Sequence, residues 1–389
     1  MTPLYLLDPP QPGAAWAPFA GTRLIAELRA GAWRIRERWE RALGRSATAI
    51  LAPALTDFHE LDEPPVESGA ALSGPALVVR SDVVPPAGPL TLPPGTRRLT
   101  AGGAAVGWVL ADGERWSGGS TDGAAHEIDA FLLGGAYDLI TALERLLGAD
   151  CEALAAATGG AAPDGCLVLG PASRVVAAGA SVEPGVVFDV RSGAVVLSAG
   201  VEVRSGTRLE GPCFIGAGCR VLGGFIRASA FGPRCTVRGE ISTSVFVGYA
   251  NKSHDGFVGH SALGHWVNLG AGTTTSNLKN TYGMVRLDVG GASIETGRSF
   301  LGSLIADHAK TAIGTMLSTG TVVGAGANVF GAAPPKYVPP FAWGSTGGER
   351  LTEEGFLRTA ERVLPRRDVT VTPKLRAALA GLYRRGCAR

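Results

Sequence analysis

Lysine is scarce in this chain: of 389 residues only five are lysine (Lys252, Lys279, Lys310, Lys336 and Lys374), and none comes before Lys252. Any anion held by the first 251 residues must therefore be met by arginine or by backbone N–H groups, and a planar guanidinium does not replace a point ammonium without consequence. Cysteine is also thin. The six cysteines form no CxxC pair and match no disulfide or zinc framework. Three of them, Cys213, Cys219 and Cys235, fall on core positions of the repeat described below, so they are expected to be reduced core thiols. No run of about 18 apolar residues is present. The opening MTPLYLLDPPQPG has no basic segment followed by an apolar run and a small-residue cleavage site. The expectation is a soluble cytoplasmic protein with no membrane partner. A formal charge of +2 gives no reason to expect nucleic acid as a partner either.

What is present is enough apolar content, 46%, for two domains with cores of their own. LYLL at 4–7 reads as a short strand. In the following GTRLIAELRAGAWRIRERWERALG, Leu24, Ile25, Leu28, Ala32, Ile35, Trp39 and Leu43 recur at helical spacing, which predicts one amphipathic helix with Gly31 as its weak point. Short β-like runs such as ALVVR and VGWVL follow, and EIDAFLLGGAYDLITALERLLGADCEALAAA reads as helix. Together these suggest an α/β or α+β domain over 1–165, with its boundary in TGGAAPDG.

Beyond the boundary the period becomes six. Val195, Val201, Thr207, Cys213, Cys219, Phe225, Phe231 and Val237 lie six apart, and four residues after each comes a mostly small residue, from Ala199 and Ser205 to Cys235 and Ile241. A six-residue unit suits one short strand and a turn. Three units make one coil of a triangular parallel β-helix, in which residues 18 apart stack. This solenoid is expected over 166–335, with interruptions near 249–256 and 275–292 and a helical, basic tail over 336–389 that covers an end.

The first interruption gathers polar residues that the repeat does not need. GYANKSHDGFVGHSALGHWVNLGAGTTTSNLKN holds His254, His260 and His265, two lysines and four asparagines. Residues six apart lie on neighbouring faces of a triangular coil, so His254 and His260 are not natural co-ligands of zinc. A single histidine titrating near neutrality suits general base work instead.

This segment resembles the acetyltransferase site of the bifunctional bacterial enzyme that acetylates glucosamine-1-phosphate and uridylates the product. With GTRLIAELRAG…IRERWE near the start and AYDLI before the boundary, the whole chain is similar to a shorter family of sugar nucleotidyltransferases related to that enzyme. The resemblance implies a nucleotidyltransferase-like α/β domain followed by a left-handed parallel β-helix built of hexapeptide repeats. It implies a homotrimer that uses acetyl-CoA as co-substrate and an amino-sugar phosphate as acceptor. His254 would be the base that deprotonates the sugar amine. Asn268 and Asn277 would hold sugar or pantetheine groups, and Ser303 would lie near the thioester. Lys252 would bind the sugar phosphate, with Arg227, Arg234 or Arg238 as partner. Residues after Asn277 read LKNTYG, which departs from the bifunctional enzyme and leaves the acceptor and acyl group open.

The front domain keeps less of its family's pattern. Of the glycine-rich loop, arginine and Pro-Lys pair that cradle a triphosphate, GTR at 21–23 remains. Arg23 and Arg29 are the candidates to replace the lysine. Asp82, after the apolar run ALVVRS, stands where such enzymes place a Mg2+-binding aspartate. Two further readings stay open. In one, the front domain makes a nucleotide sugar from a nucleoside triphosphate and the solenoid only trimerises it. In the other, the protein is a non-catalytic scaffold or sugar-nucleotide sensor.

Overall fold

A computed structural model describes residues 2–85, 88–119, 122–346 and 348–388. In the front domain the alternating runs form a seven-stranded sheet, in the order 125–127, 98–101, 104–110, 76–80, 4–7, 47–51, 66–67. Leu4–Leu7 is central and runs parallel to both Ala47–Leu51 and Ala76–Arg80. Period-two alternation sends Leu4, Leu6, Leu77 and Val79 into the main core. Ala76 and Val78 go to a small cluster on the other face, with Leu72 and Leu110.

The single helix expected over 21–44 is not formed. The helix α1 spans only Ile35–Leu43, opened by the Arg34 N–H donating to Glu37 Oε2 at 2.7 Å and closed by Gly44 in the left-handed conformation. Residues before it form a 3-10 turn, Ile25–Glu27, and a tight hairpin pairing Arg29–Ala30 with Trp33–Arg34. Two buried carboxylates explain the difference. Asp8 accepts the N–H groups of Ile25 (2.7 Å) and Ala26 (3.1 Å), and Asp150 accepts that of Ala32 (2.8 Å), so these donors are withdrawn from a helical ladder. Gly31 turns the hairpin at φ 65°, where an added Cβ would come within 2.3 Å of Asp150.

The second predicted helix is also shorter than its apolar run. Residues 125–127 and 131–132 are strands, and α2 covers Asp138–Thr158. Its buried Leu139, Ile140, Leu143, Leu147 and Cys151 recur every three or four residues, and the helix packs between the Arg29–Ala30 strand and the solenoid.

The period-six region is a parallel β-solenoid, as the left-handed β-helix reading requires. One face is a nine-stranded parallel sheet running from Val175–Val176 to Tyr337–Val338. Leu197, Ile215, Phe231, Phe246, Leu263, Ile305 and Val323 stack in register and fill the interior. Their outward neighbours Val196, Ala230, Val245, Ala262 and Leu304 join the front-domain core, so the two parts share one continuous apolar core.

The strict spacing of 18 does not persist. Register partners are 18 apart at Val195/Cys213 but 15 apart at Phe231/Phe246. At Gly223–Gly224 the register shifts, and Ile226 takes the inward place predicted for Phe225. Phe225 instead lies on the surface between the guanidinium groups of Arg208 and Arg227. The second interruption is an excursion carrying the hairpin Arg286–Val289/Ala292–Glu295. The tail forms α3, Glu353–Val363, and α4, Pro373–Cys387. The six cysteines are free, with Cys213, Cys219 and Cys235 buried in the coils.

Candidate functional site

In an open parallel sheet, ligands meet the crevice at the carboxyl ends of the strands. Here that crevice is lined by Asp8, Pro9, Pro10, Gly21, Arg23 and Ala52. Asp8 follows the central strand directly. Besides its two backbone donors it accepts the Ser81 hydroxyl, and burial still pushes its carboxyl up to about 6.

Of the three front-domain residues singled out from sequence, Arg23 borders this crevice but Arg29 and Asp82 do not. Arg23 is fully buried. Its Nε donates to both oxygens of Asp307 (3.1 and 2.9 Å), and its Nη2 pairs with Glu60. The network continues, because His265 Nδ1 lies 3.0 Å from Glu60 and the His265 N–H donates to Asp307 at 2.8 Å. Burial pushes Asp307 up against the pull of Arg23. Glu60 is also desolvated, yet Arg23 and His265 hold it below the usual carboxylate range. Arg23 thus ties the front domain to the solenoid. Arg29 turns away from the crevice altogether. It donates to the Ala32 carbonyl and lies 5.6 Å from the Phe214 ring of the solenoid, where burial lowers its pKa. Asp82 is held by its neighbour Arg80 through two bonds of 2.8 and 2.7 Å. A magnesium ion there would first have to displace that guanidinium.

On the solenoid, His254 is exposed at a turn. Lys252, two residues earlier, is buried, and its Nζ donates to the carbonyls of Arg238 (3.3 Å) and His254, so the lysine shapes the turn that carries the histidine. Burial brings its pKa down to about 8. Asn268 stacks one coil from Asn251, whose Nδ2 donates to its Oδ1 at 2.8 Å. Asn277 stands apart from this pair. Its Nδ2 is 2.8 Å from His260 Nδ1, and that imidazole stacks on Phe300. Burial lowers His260 to about 4, against the pull of Glu144 on α2.

Ser303 is enclosed. It ends a ladder in which the N–H of Ser244, Ser261 and Ser303 each donates to the serine hydroxyl of the preceding coil, at 3.0, 3.2 and 2.9 Å. Arg234 donates to the Arg367 carbonyl (3.2 Å) and pairs with Asp368 at 2.6 Å, so it grips the tail.

The sequence reading missed what the tail does here. Arg367 donates to Thr236 Oγ1 (3.1 Å) and Asn251 Oδ1 (3.4 Å), and together with Arg366 and Lys310 it borders a groove floored by Asn251 and Asn268. The adjacent arginines in LPRRD were visible in sequence as a basic tail. Nothing local showed that they fold back onto a coil more than a hundred residues earlier.

Two comparisons with known proteins bear on this arrangement. The family model described as sugar nucleotidyl transferase matches residues 5–156, which is the front sheet with α1 and most of α2. A bifunctional sugar-1-phosphate nucleotidylyltransferase/acetyltransferase of Sulfurisphaera tokodaii is 34% identical over 91 residues, 23% of this chain and 23% of that protein. The match therefore spans about a quarter of that relative's length. Among the described residues no helix is long and apolar enough to cross a membrane. Residues 5–156 thus match the sugar nucleotidyl transferase family and are set ahead of a parallel β-solenoid, and the chain is similar over 91 residues to a bifunctional sugar-1-phosphate nucleotidylyltransferase/acetyltransferase.

Proposed function

We propose that this protein is a cytoplasmic transferase whose solenoid acylates an amino-sugar-1-phosphate, with acetyl-CoA as donor and glucosamine-1-phosphate as the model acceptor. The observation that carries this reading is the exposed His254, held on a turn by the buried Lys252, three residues after Asn251, whose amide pairs with Asn268 of the next coil. A protonated amine cannot attack a thioester, so an imidazole open to the acceptor supplies the base. The developing oxyanion needs a donor. Ser303 commits its N–H to the serine ladder and its hydroxyl is buried, so that donor is a backbone N–H elsewhere on the coil.

Exposed Ile313, Met316, Phe330 and Trp343 lie on the last coils of the solenoid, a surface suited to copies of the chain in a trimer. The site would then be completed by a neighbour, with Asn277 and Asn268 contributing to different parts of it. Replacement of His254 by alanine should abolish CoA release without altering the fold. Full acyl transfer by that variant would refute the reading.

A second activity is favoured by the family match over 5–156: transfer of a nucleotidyl group to the sugar-1-phosphate in the crevice beside Asp8. Pyrophosphate release from a nucleoside triphosphate and a sugar-1-phosphate, dependent on Mg2+ and unaffected by loss of His254, would establish it. Its absence with every nucleoside triphosphate would leave the front domain a structural partner.

A further inference from the structure

Each coil of the solenoid turns one corner through a residue in the left-handed conformation. Going up the stack, that place is held by Gly179, Gly200 and Gly218, and then by Arg234, Tyr249, Trp266 and His308, all with φ between 54° and 62°. A side chain in this conformation is unfavourable, and bulky ones are rare there. Tyr249 and Trp266 stack at 4.4 Å, and the column continues through His308 to Phe356 of α3. The strained corner is therefore a platform for the tail. Arg234, the first of the series, grips the tail turn at Arg367 and Asp368.

Beside this platform is a groove of about 280 Å³. Its floor is the stacked amides of Asn251 and Asn268, and its rim carries three cations, Lys310 from the solenoid and Arg366 and Arg367 from the tail. No Asp or Glu lines it, and among the described residues none of the three cations has a carboxylate within ion-pairing distance. Lys310 Nζ donates to the His308 carbonyl at 2.8 Å, and the buried Nε of Arg367 has no partner. Of the more deeply buried arginines, Arg23, Arg36 and Arg38 each have a carboxylate in contact, and Arg29 is met by the Ala32 carbonyl and the Phe214 ring. Three converging cations without counter-charge, next to neutral amide donors and acceptors, form a receptor for a group with several anionic oxygens.

We infer that this groove binds a phosphate group, and that the C-terminal tail supplies two arms of the clamp from the same chain. The ligand chemistry fits either the phosphate of an acceptor sugar or a phosphate of CoA. The groove shares Asn268 with the proposed acyl-transfer site, so its part in turnover rests on that reading. Its affinity for phosphate does not.

The test is calorimetric titration of the full-length protein with inorganic phosphate, glucosamine-1-phosphate and CoA, each at low salt. Arg366→Ala removes an exposed side chain that makes no hydrogen bond among the described residues, and Lys310→Met removes the partly buried charge. Each is expected to weaken binding roughly tenfold or more, while Lys374→Ala, a cation of the tail outside the groove, leaves the affinity unchanged. Preference for CoA assigns the groove to the donor, and preference for glucosamine-1-phosphate assigns it to the acceptor; either supports the site. Binding by none of the three ligands, or binding that survives both substitutions at full strength, overturns it. Loss of turnover in His254→Ala with binding intact separates a failure of the clamp from a failure of the acyl-transfer reading.

Discussion

At the scale of single residues, the environment decides which polar groups are free to do chemistry. The sequence reading singled out His254 over His260, and the fold exposes the first and half-buries the second against Phe300 with Asn277 as its partner. Burial lowers the His260 pKa to about 4, from an ordinary value near 6.5. The unfolded chain therefore binds more protons between those values. The neutral imidazole contributes its full stability above pH 6.5, and this is lost as the pH falls toward 4. Urea midpoints measured across that range should fall more steeply for the wild type than for His260→Gln; parallel curves would show that His260 is not desolvated. The same logic was beyond sequence reading for Arg23. It looked like a triphosphate ligand because GTR at 21–23 is what remains of the glycine-rich loop, but its partner Asp307 lies 284 residues away. No local pattern reveals a partner at that distance.

Among elements, the solenoid was the most legible because each inward residue is repeated coil after coil, so one misplaced side chain does not hide the period. The slip at Gly223–Gly224 shows the limit of this reading. A bulge moves Ile226 inward and Phe225 outward, and both are apolar, so composition cannot tell them apart. The 21–44 segment was misread for a related reason. Its apolar spacing fits a helix, but Asp8 and Asp150 take the backbone donors a helix would use, and neither carboxylate lies within the segment. Gly31 is the hinge of that arrangement. Gly31→Ala would place a Cβ against the buried Arg38–Asp150 pair in a left-handed backbone and should cost roughly 2–4 kcal/mol by chemical denaturation. An unchanged midpoint would mean that the hairpin can relax.

Across the whole molecule, the front domain, solenoid and tail form one connected body. The shared core along α2 joins the first two. Arg23 with Asp307 and Glu60 bolts them together, and Arg385 of α4 reaches back to Asp57. Asp307→Asn would leave the buried Arg23 with less counter-charge and should destabilise the protein by about 3 kcal/mol. Calorimetry should then resolve separate melting of the front domain and the solenoid where the wild type melts once; a single transition at the wild-type temperature would show that the apolar core alone holds them. Sequence resemblance pointed to two activities; the front sheet carries a crevice beside Asp8, and the solenoid carries an exposed histidine, His254. Whether the solenoid is an enzyme is tested most directly by thiol release from acetyl-CoA in the presence of glucosamine-1-phosphate, comparing the wild type with His254→Ala. The account predicts turnover by the wild type and a loss of at least about a hundredfold in the variant. Equal rates in the two proteins, or no release by the wild type with any amino-sugar phosphate, would contradict it.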